Sequence, residues 1–131
     1  MARRRLFLDA NVLFSAAYRE DAGVGRLWEL SDATLLTSGY ALEEARRNLA
    51  TDEQRERLTR LADKLEVVLE AEATALPEDL PLAEKDRPIL RAALRSNATH
   101  LITGDLTHFG PYMGEQIEGV RVVRPADLLR A

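Results

Sequence analysis

The stretch Arg5-Leu6-Phe7-Leu8-Asp9-Ala10-Asn11-Val12-Leu13 sets the pattern for the rest of the chain. Arg5 to Asp9 reads as a strand that ends on an acid, and Asn11 to Ala17 as a helix directly behind it. The same alternation continues downstream. Gly23 to Leu30 carries Val24, Leu27 and Trp28 at helical spacing, Ala33 to Thr37 is a second strand, and a helix follows from about Tyr40 to Ala50. Residues 52–65 place Leu58, Leu61, Ala62 and Leu65 at i, i+3, i+4 and i+7, the mark of an amphipathic helix. Val67-Val68-Leu69 is a third strand or a continuation of that helix. Residues 75–85, with Pro77 and Pro81, read as a loop. A helix over 87–97 takes Pro88 in its first turn, where the missing N–H is harmless. His100 to Thr103 is a fourth strand, and Val120 to Val123 a fifth that stops at Pro125. Strand and helix in alternation predict an α/β layer fold with a mostly parallel sheet of about five strands.

At 131 residues the chain has room for one core, so a single domain over 1–131 is expected. Hydrophobic residues make up 46% and charged residues 31%, the profile of a soluble globular protein. No apolar run is long enough to cross a bilayer, and the apolar stretch after Arg3-Arg4-Arg5 ends at Asp9, too soon for a secretory leader. The expectation is a cytoplasmic protein without a membrane partner. The absence of cysteine removes disulfides, thiol nucleophiles and thiolate metal sites, and two histidines are too few for a histidine-rich centre. Metal chemistry must then rest on oxygen ligands, which favours Mg²⁺ or Mn²⁺. A net charge of −4 does not announce a nucleic-acid binder, but an acid cluster devoted to a metal makes net charge a poor guide to the remaining surface.

Ligands of parallel sheets bind at the carboxyl ends of strands. Asp9 closes the first strand, and Asp105 follows the fourth across Thr103-Gly104. Asp86 stands at the start of a helix, and Glu44 lies in the first turns of the helix behind the second strand. Each has an ordinary alternative: Asp9 and Asp86 as helix caps, Asp105 as a turn residue. Together those alternatives require several coincidences at one sheet edge. Between neighbours, Glu44 falls nearer the apolar stripe of Leu42, Ala45 and Leu49, beside Ala41 and Asn48. Glu43 points outward, with Arg47 at i+4 for an exposed ion pair. Clustered carboxylates repel unless a cation neutralises them. A Mg²⁺ ion relieves that repulsion and makes a water acidic enough to attack a phosphodiester in line. Asn11 and Thr103, beside the cluster, either orient an acid, water or phosphate or satisfy local backbone groups.

These segments resemble those of the PIN-domain ribonuclease family. Leu8-Asp9-Ala10-Asn11-Val12-Leu13 is similar to its opening motif, and Ser38 to Arg46 to its second acidic segment, which sets the family's glutamate on Glu44. Asp86-Arg87-Pro88-Ile89-Leu90-Arg91-Ala92-Ala93 resembles the third motif, Leu101 to Leu106 the fourth, and Val122 to Asp127 the closing strand and turn. The ordered set spans nearly the whole chain. The resemblance implies a three-layer α/β/α fold and Mg²⁺- or Mn²⁺-dependent RNA cleavage, with Asp9, Glu44, Asp86 and Asp105 as catalytic and metal-binding residues. Many small members are VapC-like toxins held by a cognate antitoxin, and members often dimerise, so an antitoxin partner and a homodimer are implied as well. One departure is visible: some members carry a further aspartate shortly after the fourth motif, where this chain has Thr107 and His108.

Arg87, Arg91 and Arg95 recur every four residues and form either a phosphate-binding stripe for RNA or a solvated helix face. Arg3 to Arg5 read as a loose terminus. His108 contacts a base or phosphate, or finishes a turn, and is not expected to be the general base. The rival functions are a PIN-like module that binds RNA or protein without cutting, and a phosphohydrolase or phosphotransfer domain. A haloacid-dehalogenase-like enzyme would need an aspartate where Asn11 stands. A receiver domain would need a lysine after a late strand, and the only lysines are Lys64 and Lys85.

Overall fold

Six strands form one sheet in the order β3-β2-β1-β4-β6-β5. The structure, a computed structural model, describes residues 3–68, 82 and 84–129. The strands are β1 (Arg4–Leu8), β2 (Ala33–Ser38), β3 (Glu66–Val68), β4 (His100–Ile102), β5 (Gln116–Ile117) and β6 (Val120–Val123). The helices are α1 (Ala10–Tyr18), α2 (Gly39–Asn48), α3 (Asp52–Ala62), α4 (Arg87–Arg95), α5 (Leu106–Phe109) and α6 (Pro125–Leu129). Every neighbouring pair of strands is parallel except β5 with β6.

The middle of the sheet is set by apolarity. Leu6, Phe7 and Leu8 are consecutive and fully buried, so β1 has both faces covered, as a central parallel strand must. It pairs with β2 through Leu6–Leu35 and Phe7–Leu36, and with β4 through Phe7–Leu101 and Leu8–Ile102. Parallel neighbours need crossover helices, and right-handed crossovers place α1, α2 and α3 on one face and α4 on the other. In agreement, α1 packs on α2 and α3, while α4 packs across β2 and β4. Thr51 and Gln54 start α3 with a reciprocal capping box, and Ser38 caps α2 by accepting from the Ala41 N–H at 3.2 Å.

The three-layer α/β/α architecture agrees with the reading of the sequence, with three differences in detail. The sheet has six strands: Glu118 and Gly119, at φ +50° and +89°, form a tight turn that folds β5 back onto β6. Gly23–Glu29 is a 3-10 helix instead of an α-helix, its two glycines being poor α-formers. It is fixed by buried Leu27 and by Trp28, whose Nε1 donates to the Leu61 carbonyl at 3.1 Å. Of the two readings offered for the segment after α3, the strand is the one formed, as β3 over Glu66–Val68. Arg3, Arg4 and Arg5 are not a loose terminus. Arg3 Nη2 donates to the Ala33 carbonyl at 2.8 Å, Arg4 pairs with Asp32 at 2.8 Å, and Arg5 donates to the Ser96 carbonyl. Leu69 and most of the loop expected over 75–85 lie outside the described residues.

Candidate active site

The crossover from β1 runs to β2 on one side, and that from β4 runs to β6 on the other. The crevice between the carboxyl ends of β1 and β4 is therefore the topological switch point, where open α/β sheets hold ligands. A cavity of about 310 Å³ lies there, lined by Asp9, Ala10, Asn11, Phe14, Glu44, Asn48, Asp86 and Asp105. All four acids singled out from the sequence meet in it.

Asp9 is only 4% exposed. Its Oδ1 accepts from the Ala10 N–H at 2.7 Å, and its Oδ2 accepts from Thr103 Oγ1 at 2.8 Å and Asn11 Nδ2 at 3.0 Å. Capping is thus real, but it uses one oxygen and leaves the other to a polar network. Thr103, fully buried at the end of β4, also accepts the Asp105 N–H at 3.0 Å. Asn11 Oδ1 accepts the Gly104 N–H at 2.8 Å, tying the β1–α1 corner to the β4–α5 corner. A Cβ on Gly104 would stand 3.3 Å from that oxygen, so this close approach suits glycine. Burial pushes the Asp9 carboxyl up to about 6; its hydrogen bonds from Thr103 and Ala10 pull the other way, and the charges of Asp86 and Glu44 raise it further.

Asp105 caps α5, its Oδ1 accepting from the N–H groups of Thr107 and His108, each at 3.1 Å. Burial works to raise its pKa, but the backbone and ring N–H of His108 and the Thr107 N–H outweigh this and hold it low. Asp86 is 7% exposed, and although it precedes α4 its side chain makes no cap hydrogen bond. The capping alternative for Asp86 is therefore not realised. Glu44 is half-buried at the cavity wall while Glu43 is exposed outside it. The buried face of α2 is Ala41, Ala45 and Leu49, with Leu42 half-buried, which turns Glu44 toward the cavity. The ion pair expected between Glu43 and Arg47 is not formed; both are exposed, where such a pair gains little.

None of Arg87, Arg91 and Arg95 lines the cavity. The Arg87 side chain is 14% exposed and lies 3.4 Å from Glu84, Arg91 is half-buried, and Arg95 is exposed in the last turn of α4. Two cavity residues carried no functional reading in the sequence. Phe14 follows Ala10 by one turn on α1, and Asn48 follows Glu44 by one turn on α2, donating to its carbonyl at 3.0 Å. His108, expected at a base, a phosphate or a turn, instead meets the acids: its Nδ1 lies 2.6 Å from Asp105 Oδ2 and 3.2 Å from Asp86 Oδ2. The signal for that contact was Asp105-x-x-His108, the spacing at which a side chain in a helix's first turn folds back on its cap.

An α/β/α sheet with clustered carboxylates at its switch point defines an α/β protein with an acidic candidate site. The family profile described as PIN domain matches residues 5–107, and the chain belongs to that family, whose members are in general nucleases. No curated protein matches the chain. Among solved structures, it is similar to VapBC2 from Rickettsia felis, bound to a DNA fragment from its promoter, with a TM-score of 0.66 and 16% identity over 92% of this chain and 98% of that one. It is also similar to VapBC-1 from nontypeable Haemophilus influenzae, with a TM-score of 0.59 and 16% identity over 93% of this chain and 98% of that one. At that identity the likeness speaks for the fold.

Proposed function

We propose that this protein is a divalent-cation-dependent ribonuclease, the toxin of a toxin–antitoxin pair, with Asp9, Glu44, Asp86 and Asp105 as its catalytic and metal-binding residues. The observation that carries the reading is the convergence of these four acids, from four separate parts of the chain, on one cavity at the switch point. The donor set fits a hard cation: carboxylate oxygens, amide oxygens and no thiol. So does the electrostatics, since Asp9 is pushed up to about 6 and its ionised form needs a counter-charge.

When bound, Mg²⁺ or Mn²⁺ supplies an acidified water and neutralises charge on the phosphoryl oxygens. The chain's own residues supply position. Thr103 and Asn11 lock Asp9 in one rotamer, and the α5 amides lock Asp105, so both carboxylates are preorganised. Glu44, half-buried on the wall, is placed to orient a water at the scissile phosphate. Asn11 and Thr103 act as supports for the acids. Arg95, exposed beyond the cavity, is the best placed of the α4 arginines for an RNA backbone, with Arg87 and Arg91 contributing less.

The likeness to VapBC structures supports an antitoxin as partner; a homodimer in the cytoplasm completes the proposal and rests on the resemblance to the family alone. Among the described residues no helix is long and apolar enough to cross a membrane. Purified protein is expected to cut unstructured single-stranded RNA with Mg²⁺ or Mn²⁺, to stop with EDTA, and to resume when the cation is restored. RNA binding without cleavage under all these conditions would overturn the nuclease reading in favour of a binding module. A small antitoxin-like reading frame beside this gene is the expected companion, and its absence would count against the toxin assignment.

A further inference from the structure

We propose that His108 is an inner-sphere nitrogen ligand in the acidic cavity, and that it tilts cation choice toward Mn²⁺ over Mg²⁺. The inference rests on the metal-site reading above and deepens it. His108 stands where the chain departs from relatives that carry a further aspartate after the fourth motif. It is not a bystander: one ligand atom each from Asp86, Asp105 and His108 lie within 4.8 Å of one another. The ring atom concerned is Nδ1, 2.6 Å from Asp105 Oδ2 and 3.2 Å from Asp86 Oδ2.

The backbone holds the ring in that place. His108 lies in the first turn of α5, its own N–H donates to Asp105 Oδ1, and Phe109, next in sequence, is fully buried. A neutral imidazole with its proton on Nε2 would turn the Nδ1 lone pair to the same side as the carboxylate oxygens of Asp86 and Asp105, the residues that would hold a cation with it. Imidazole is a weaker partner for Mg²⁺, which prefers all-oxygen shells, than for first-row transition ions. A mixed nitrogen and oxygen set therefore separates two cations that an all-acid site treats more alike.

Mn²⁺ itself is the probe. Its binding is measured by calorimetry, and pulsed EPR of the loaded protein reads whether a nitrogen is coupled to the ion. The expected result is a nitrogen coupling in the wild type that changes on ¹⁵N-histidine labelling and disappears in His108→Gln. The chain has one other histidine, His100, at the opposite end of β4 and engaged with Thr99 Oγ1 at 2.8 Å, so the source is unambiguous. The same variant should lose about tenfold in Mn²⁺ affinity, with a smaller loss for Mg²⁺ measured by competition. Mn²⁺ binding in the wild type without any histidine coupling overturns the proposal and leaves the metal-site reading standing. No Mn²⁺ binding at all overturns both. The isotope comparison uses wild-type protein, so it decides the matter whether or not the variant folds.

Discussion

Replacing Asp9 with asparagine should change how stability responds to pH in a direction set by burial. In the metal-free protein the Asp9 carboxyl is raised from 3.8 to about 6, mainly by desolvation and secondarily by the charges of Asp86 and Glu44. A carboxyl raised on folding stabilises the fold while protonated, fully below pH 3.8, and loses that contribution as pH rises to about 6. The full difference is about 3 kcal/mol, of which about 2 kcal/mol falls between pH 4.5 and pH 7.5. The discriminating quantity is the stability difference between wild type and Asp9→Asn, measured by urea unfolding in EDTA at both pH values. Subtracting the variant cancels most other titrating groups and any fixed cost of the amide's altered hydrogen bonds. Wild type should lose about 2 kcal/mol relative to Asp9→Asn on going to pH 7.5. Parallel curves, or a relative gain by wild type, would refute the argument that this carboxylate is a buried charge awaiting a counter-ion.

Other substitutions test the supports. Thr103→Val keeps the volume but removes a donor from Asp9 and the acceptor of the Asp105 N–H; the melting temperature should fall by about 7 °C, for a loss of about 2 kcal/mol. Because the Thr103 bond holds the Asp9 pKa down, carboxyl NMR should show its midpoint rising in this variant, and an unchanged midpoint would contradict the geometry. Glu44→Gln should cut the rate of RNA cleavage by about a hundredfold or more, while Glu43→Gln leaves it within a factor of about two; equal effects would remove Glu44 from the site. Gly119→Ala forces a side chain onto a φ of +89° and should cost about 1 kcal/mol in thermal unfolding, with cleavage per folded molecule unchanged.

What could be read from the chain alone divides along physical lines. β1, β2, β4 and β6 were legible because each is a short apolar run bounded by a polar or turn residue, and Asp9 and Asp105 because each follows such a run directly. Glu44 followed from helical phase, although the buried face is set by Ala41 and Ala45 more than by Leu42. The strand order was not legible, since it depends on which edges pair across long separations, and only that order makes the β1–β4 crevice a switch point. β5 escaped because it is two residues long and owes its existence to the Glu118-Gly119 turn. Arg3 to Arg5 gave no local sign of their anchors, which come from Ala33, Asp32 and Ser96, far away in sequence. His108 was visible as a residue, but its approach to Asp86 depends on α4 and α5 meeting in space.

The central claim is that the four acids are assembled to hold a divalent cation. Anomalous diffraction from a crystal soaked in Mn²⁺ tests it most directly. A manganese peak in the cavity, in contact with carboxylate oxygens of Asp9, Glu44, Asp86 and Asp105 and absent from Asp9→Asn crystals, is the predicted result. An empty cavity at saturating Mn²⁺, or a peak elsewhere on the surface alone, would contradict it.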